Sequence, residues 1–149
     1  MLYNEIVKYF ETDEDIAKLL GKLAKDYFDE IDSIGGQLIG GVLTTTDELN
    51  TVKTQLAAII ANLQPIYSKA LSLKKQKEYR FYVSKKLNSE TTGVKFTDGS
   101  ATIEAKDAVR NYRNARDLIC GYLKSAESLY YDTKDRVEAN RKEYNKTER

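Results

Sequence analysis

The stretch ATIEAKDAVRNYRNARDLICGYLKSAESLYYDT, residues 101–133, repeats small and apolar side chains at steps of four and three residues. Such steps place side chains on one face of an α-helix, and a repeat of more than four heptads is typical of a coiled coil. The stretch therefore predicts one long helix over 101–146. Its repeating positions are Ala101, Ala105, Ala108, Tyr112, Ala115, Ile119, Tyr122, Ala126, Leu129 and Thr133.

A second long helix is predicted over residues 46–87. Its apolar positions follow the same spacing from Leu49 to Leu73, and they continue on both sides of Pro65, which indicates a kink and not an end. After Leu73 the pattern shifts by one residue, so that Tyr79, Val83 and Leu87 carry it. Residues 88–100, rich in Gly, Ser and Thr, are expected to form the loop between the two long helices.

A shorter helix is predicted at the N-terminus, from Asp13 to Ile34. The spacing of its apolar residues defines one buried face, and the segment Gly35–Gly41 is expected to end the helix in a flexible turn. The apolar face comprises Ile16, Leu19, Leu20, Leu23, Tyr27, Ile31 and Ile34.

These patterns predict an all-α fold in a single domain over 1–149: a long, coiled-coil-like antiparallel hairpin of the helices at 46–87 and 101–146. The segment 1–45 would pack its helix at the base of this hairpin, which leaves two bare helices at the loop end. Because two helices alone bury little apolar surface, we expect the protein to be a homo-oligomer.

The composition argues against an enzyme. The chain has no histidine and one cysteine, which removes the most frequent general base, the most frequent metal ligand and every Ser-His or Cys-His pair. A cluster of Asp26, Asp29, Glu30 and Asp32 suggests a Mg²⁺ site, but such a site needs a second acidic pair on a facing helix. We therefore predict no catalytic residue, no metal and no cofactor.

Cysteine usage and hydropathy bear on location. One cysteine cannot form an internal disulfide, which fits a reducing compartment, and there is no run of about 18 apolar residues. We therefore expect a cytoplasmic protein that does not enter the membrane.

The distribution of charge is the most informative functional signal. Residues 1–68 contain five lysines against eleven acidic residues, whereas residues 69–86 contain seven basic residues against one acid. In a hairpin that places Leu87 opposite Ala101, the second segment lies beside the basic residues that follow Glu104. The predicted nucleic-acid-binding residues are Lys74, Lys75, Lys77, Arg80, Phe81, Lys85, Lys86, Lys95, Lys106, Arg110, Arg113 and Arg116.

Aromatic side chains lie among these cations. Tyr79 falls on the apolar pattern and is expected in the core, whereas Phe81, about 200 degrees further around the helix, is expected to be exposed. Cations with exposed rings suit single-stranded nucleic acid, because phosphates bind cations and unpaired bases stack on rings. Two alternatives stay open: Phe81 is an oligomer contact, or the charges form an ordinary solvated face.

The C-terminal half contains a set of charged and aromatic motifs within a long helical hairpin: Lys74-Lys75-Gln76-Lys77-Glu78, Lys95-Phe96-Thr97-Asp98, Asp107, Ala126-Glu127 and Arg141. On these residues, over about 70–145, it resembles small phage-encoded recombination mediators of the UvsY-like group. The resemblance implies an oligomer that binds single-stranded DNA and helps to load a recombinase. The alternative is a coiled-coil interaction module: a phage-encoded adaptor, assembly factor or inhibitor of a host protein that does not bind nucleic acid.

Overall fold

A computed structural model describes residues 3–10 and 13–148, and these residues form helices and connecting turns with no β-strand. The predicted all-α class is confirmed. A 3-10 helix precedes α1, and a π-helix joins α1 to α2. The bounds are Tyr3–Phe10 for the 3-10 helix, Asp13–Leu23 for α1, Ala24–Phe28 for the π-helix, Asp29–Ile39 for α2, Thr46–Thr92 for α3, Asp98–Ala108 for α4 and Arg110–Thr147 for α5.

The chain divides into two compact units. The first unit joins Met1–Leu20 to Ile66–Leu118, and the second joins Gly21–Pro65 to Ile119–Arg149. Each unit has a core of its own. The prediction of a single domain stays a prediction.

In the first unit, the N-terminal segment packs on the hairpin. Ile6, Phe10, Ile16 and Leu19 are buried, and the Phe10 ring stacks on Tyr112 with 5.9 Å between centroids. The N-terminal segment therefore reaches along the hairpin as far as Tyr112, and the bare pair of helices at the loop end stays a prediction. An alanine-rich face on α4 and the start of α5 leaves room for a third apolar segment. That face includes Ala101, Ala105 and Ala115, all buried.

In the second unit, α2 packs with the first part of α3 and the last part of α5. The Phe28 and Tyr122 rings are nearly parallel with centroids 4.1 Å apart, and the Tyr122 hydroxyl donates to the Asp32 carboxylate at 2.9 Å. At the end of α2, the Arg136 guanidinium donates to the Leu38 carbonyl oxygen at 3.0 Å and forms an ion pair with Asp132 at 3.1 Å. The bond to Leu38 satisfies a carbonyl at the end of α2, where the last carbonyls lack partners within the helix, and Asp132 holds the guanidinium in place.

The N-terminal helix is longer and less regular than predicted. It does not end at Ile34: α2 continues through Gly35 and Gly36 to Ile39, because Ile34 and Leu38 extend the buried face. A Cβ on Gly35 would lie 3.7 Å from Leu129 of α5, an ordinary van der Waals distance, so this position faces α5 with room for a small side chain. The chain turns at Gly41, whose φ is +67°.

The π-helix Ala24–Phe28 shifts the apolar pattern by one residue. A π-turn contains one residue more than an α-turn, so the buried position after Leu23 is Phe28, five residues on. Tyr27, which the spacing placed in the core, is half-buried. Its pKa is raised by this burial and, to a smaller extent, by the neighbouring Asp26.

Helix α3 begins with a reciprocal pair of hydrogen bonds. The Glu48 amide donates to Thr45 Oγ1 at 3.2 Å, and the Thr45 amide donates to the Glu48 carboxylate at 3.3 Å. This is a capping box, in which the side chains satisfy backbone donors at the start of a helix. The backbone amides of Thr45 and Thr44 lower the pKa of Glu48.

The predicted spacing holds over the first part of α3 only. Leu49, Val52, Leu56, Ile59, Leu63, Ile66 and Ala70 are all buried, and the helix runs through Pro65 without ending, as predicted. Beyond Ala70 the predicted shift to Tyr79, Val83 and Leu87 is wrong. The inner face continues in its original register through Lys74, Lys77 and Phe81, which are partly buried.

The connection between the long helices is shorter than predicted. α3 continues to Thr92, and only residues 93–97 lie outside helices, where the expected loop spanned 88–100. Gly93 has a φ of +73°, and the Ser89 hydroxyl donates to the Val94 carbonyl oxygen. The predicted unbroken helix over 101–146 is interrupted at Val109, which is buried in place of Ala108. Further along, Leu123 is buried in place of Tyr122.

Candidate nucleic-acid interface

The hairpin brings the two predicted basic segments together in the first unit. The Lys77 ammonium lies 4.9 Å from the centre of the Tyr112 ring, and the Lys85 ammonium lies 2.9 Å from the Glu104 carboxylate. These two pairs match the predicted register, in which Leu87 lies opposite Ala101. Cations distant in sequence therefore share one compact unit, which was the premise of the predicted interface.

Four of the predicted cations are neutralised by acidic neighbours. Lys74 pairs with Glu78 at 2.6 Å, and only 14% of the Lys74 side chain is exposed. The other three are Lys85 with Glu104, Arg110 with Asp107 and Arg116 with Asp117. A cation that already has a carboxylate partner offers less charge to a phosphate, so these four residues are weaker candidates than the sequence indicated.

Five of the predicted cations are exposed and form no ion pair with any residue that the structure describes: Lys75, Arg80, Lys86, Lys95 and Lys106. The Lys77 and Arg113 side chains are partly buried. Lys77 lies over the Tyr112 ring, and the Arg113 guanidinium donates to the Lys106 carbonyl oxygen at 3.2 Å. The residues 66–118 contain twelve basic and six acidic residues, so this part of the first unit has an excess of positive charge.

A single face of α3 combines free cations with aromatic rings. Lys75, Tyr79, Tyr82 and Lys86 follow each other at steps of four, three and four, so they share one side of the helix. Lys75, Tyr79 and Tyr82 line a shallow groove with Thr102 and Ala105 of α4. Lys106 follows Ala105 and is exposed. We call Lys75, Tyr79, Lys86 and Lys106 the basic face.

The two aromatic predictions are reversed in the structure. Tyr79 was expected in the core, but 68% of its surface is exposed. Phe81 was expected on the surface, but it is half-buried, and the Lys85 ammonium lies 5.7 Å from its ring centre. The predicted change of register after Leu73 caused both errors. Without that change, Phe81 lies on the inner face and Tyr79 on the outer face.

Tyr82 attaches the basic face to the start of α4. Its hydroxyl donates to the Asp98 carboxylate, and its ring meets Phe96 edge-on with centroids 5.8 Å apart. The hydrogen bond to Asp98 raises the pKa of Tyr82, because the charged carboxylate stabilises the protonated phenol. The register of α3 against α4 is therefore held by a directional contact beside Tyr79.

The acidic cluster on the N-terminal helix shows no metal-binding geometry. Among the described residues, no group of three or more Asp, Glu or Cys side chains converges on a point that a metal ion could occupy. Asp32 instead accepts the hydrogen bond of Tyr122, which raises the pKa of that phenol. Cys120 is half-buried as a free thiol.

Comparisons with known families, proteins and structures found no match. The chain matches no protein-family model, no curated protein and no solved structure. Within the part of the chain that is described, none of the helices combines the length and the apolar character needed to cross a bilayer. The function is therefore inferred from the geometry of the basic face.

Proposed function

We propose that this protein binds single-stranded nucleic acid, without catalysis, through the basic face. The observation that carries the proposal is the position of the exposed Tyr79 ring on one helix face with Lys75 and Lys86, beside Lys106 of α4. Lys75 and Lys86 are separated by about 16 Å along the helix, so they can contact phosphates on either side of a nucleotide whose unpaired base stacks on the exposed ring between them.

Salt dependence tests the electrostatic part of this proposal. The affinity for a fluorescent oligothymidine is measured by anisotropy at several salt concentrations. On single strands the logarithm of the affinity falls by roughly 0.7 per neutralised phosphate for each tenfold rise in salt. The triple variant Lys75→Gln/Lys86→Gln/Lys106→Gln should therefore reduce the slope by about 2.

A matched variant controls for the loss of three positive charges. Lys124, Lys134 and Lys142 are exposed lysines of α5 in the second unit, and their replacement by Gln changes the net charge equally. The two triple variants should differ clearly in slope and affinity. Equal effects would show that only the total charge matters and would reject the basic face.

Truncation of single rings tests the stacking part. Tyr79→Ala should weaken oligothymidine binding by about tenfold, since a stacked ring contributes roughly 1–3 kcal/mol per base. Phe81→Ala, which removes a half-buried ring, should weaken it less, provided that circular dichroism shows the fold intact. Tyr144→Ala controls for loss of an exposed tyrosine, since Tyr144 is 63% exposed on α5. A larger effect of Phe81 than of Tyr79 would contradict the proposal.

The resemblance to recombination mediators extends the proposal to a biological setting. In that setting, the protein would act in the cytoplasm as a homo-oligomer that loads a recombinase onto single-stranded DNA. The test is stimulation of recombinase filament formation on strands covered by a single-strand-binding protein. The triple variant of the basic face should abolish stimulation, and the matched α5 triple variant should retain it.

A second candidate is a protein-interaction module that does not bind nucleic acid. It is favoured by an apolar strip on α3, in which Val83 and the 58% exposed Leu87 continue the line from Tyr79. An exposed apolar strip on a helix is typical of a surface that packs on another helix. Oligothymidine binding near physiological salt distinguishes the two candidates, since the interaction module predicts none. Sedimentation velocity at micromolar concentration tests the strip itself: Val83→Glu/Leu87→Glu should dissociate an oligomer held by these side chains, and an unchanged oligomer would argue against the strip as its interface.

A further inference from the structure

A groove of the second unit has features that the proposed function does not use. It lies between α3 and α5, and its lining residues are Ala57, Ile60 and Ala61 on one side and Glu127, Tyr130 and Tyr131 on the other. The tyrosine rings are nearly perpendicular, at 81°, with centroids 5.5 Å apart. The edge of one tyrosine ring therefore meets the face of the other, and the two rings stand as aromatic walls across the groove from the apolar side chains of α3.

The carboxylate of Glu127 in this groove has no partner in the part of the chain that the structure describes. Among the described residues, no cation forms an ion pair with Glu127 and no donor forms a hydrogen bond with it, although the residue is half-buried. A partly desolvated carboxylate without a counter-charge attracts a cation more strongly than a fully solvated one. The electron-rich faces of tyrosine rings attract cations as well.

We infer that the groove of Glu127, Tyr130 and Tyr131 binds a quaternary ammonium cation. Two aromatic walls and one carboxylate provide what an alkylated ammonium needs: ring faces for its methyl groups and a countercharge at the rim. A simple ammonium group suits the groove less well. It is strongly hydrated, and the groove offers it one charged acceptor beside apolar walls.

Two ligands of the same shape, one charged and one neutral, test whether the groove requires a positive charge. Choline is compared with its uncharged isostere, in which carbon replaces the quaternary nitrogen, and tyrosine ring signals are followed by NMR. We expect saturable shifts of Tyr130 and Tyr131 with choline at a dissociation constant on the order of 1–10 mM, and at least about threefold weaker binding of the isostere. Equal binding of choline and its uncharged isostere would overturn the inference.

Variants localise the site without disturbing the core. Tyr131 is 61% exposed, so Tyr131→Ala should keep the fold and weaken choline binding by at least about threefold. Glu127→Gln keeps the shape of the groove and should weaken it similarly. The matched controls Tyr144→Ala and Glu138→Gln, exposed positions on the same helix, should leave the affinity unchanged. Equal losses in the controls would contradict the inference.

A quaternary ammonium can belong to a small molecule or to a methylated lysine of a polypeptide. A peptide with one trimethyllysine is therefore titrated beside choline, with the unmodified peptide as control. Binding of either cation at the two tyrosines supports the inference, and the tighter of the two identifies the source. If neither cation shifts these rings in the intact protein, the inference is wrong.

Discussion

The two parts of α3 show how one helix can be held in place by different means. Residues 49–70 bury Leu and Ile side chains at every turn, whereas residues 71–92, all described, contain no buried residue. In the second part, lysine stems, half-buried rings and ion pairs replace the aliphatic contacts. The first part therefore contributes most to the stability of the helix. The second part exposes cations and aromatic rings that a ligand can contact.

The largest expected difference between the two parts is the loss in free energy of unfolding when an apolar side chain is truncated. Leu56 is fully buried, so Leu56→Ala should lower the free energy of unfolding by about 2–5 kcal/mol. Val83→Ala removes a partly exposed side chain and should cost less than about 1 kcal/mol. Urea denaturation of both variants provides the measurement. Similar losses would show that the second part has a core as tight as that of the first.

Hydrogen exchange sharpens the same contrast along the backbone. Because few apolar contacts oppose local opening in residues 71–92, their amides should exchange at least about tenfold faster than those of residues 49–63. The measurement is native-state exchange followed by NMR or mass spectrometry. An oligonucleotide that binds the protein should slow exchange in residues 71–92 selectively. Equal exchange rates in the two parts of the free protein would contradict the expected difference.

The capping box offers a smaller effect at the start of the stable part. Thr45→Ala removes the side-chain acceptor of the Glu48 amide and should cost about 1 kcal/mol. Thr54→Ala, at an exposed position inside the same helix, is the matched control and should be nearly neutral. Thermal denaturation of the two variants measures the difference, and an equal loss in both would deny a role to the cap.

Glu48 gives this cap a pH dependence of known sign. Its pKa is lowered in the folded chain, so its stabilising contribution is complete above the ordinary value of 4.5 and is lost as the pH falls through the lowered folded value. Glu48→Gln should therefore reduce stability at neutral pH and flatten the acid limb of the stability profile. A steeper acid limb in the variant would contradict this sign.

The smallest expected effect is on the pKa of two tyrosines, one in each unit, whose hydroxyls donate to an aspartate. The carboxylate partner raises the pKa of Tyr122 in the second unit and of Tyr82 in the first. Asp32→Asn and Asp98→Asn should therefore each lower the pKa of the bonded phenol towards 10.0, as measured by NMR titration of ring carbons. Asp47→Asn, which replaces an exposed acid of α3, should leave both phenols unchanged.

The fold class and the hairpin register could be predicted because long, regular apolar spacing determines both. Lys77 beside Tyr112 and Lys85 beside Glu104 are contacts that the predicted register implies. The N-terminal segment could not be placed in the same way. Ile6 and Phe10 are one helical turn apart in the sequence, but so short an apolar face does not show which part of the hairpin it contacts, so the packing of Phe10 on Tyr112 was not anticipated.

The candidate site was predicted less well than the fold. The side of α3 that faces solvent beyond Ala70 could not be read from apolar spacing, because Lys74 and Lys77 bury their stems on the inner face while Tyr79 points outwards. Long cationic side chains can cover apolar surface and keep their charge near water. The groove of Glu127, Tyr130 and Tyr131 was missed because the two helices that form it are distant in sequence.

The extra residue in the π-helix Ala24–Phe28 has a consequence for length changes in the chain. Deleting Lys25, which is exposed, would shorten the interval between Leu23 and Phe28 to one ordinary α-turn, and both side chains would still face the core. A single deletion between Leu49 and Ala70 would instead rotate every later apolar residue of α3 by about 100 degrees. We therefore expect the chain to tolerate a one-residue deletion in the π-helix much better than one in the first part of α3.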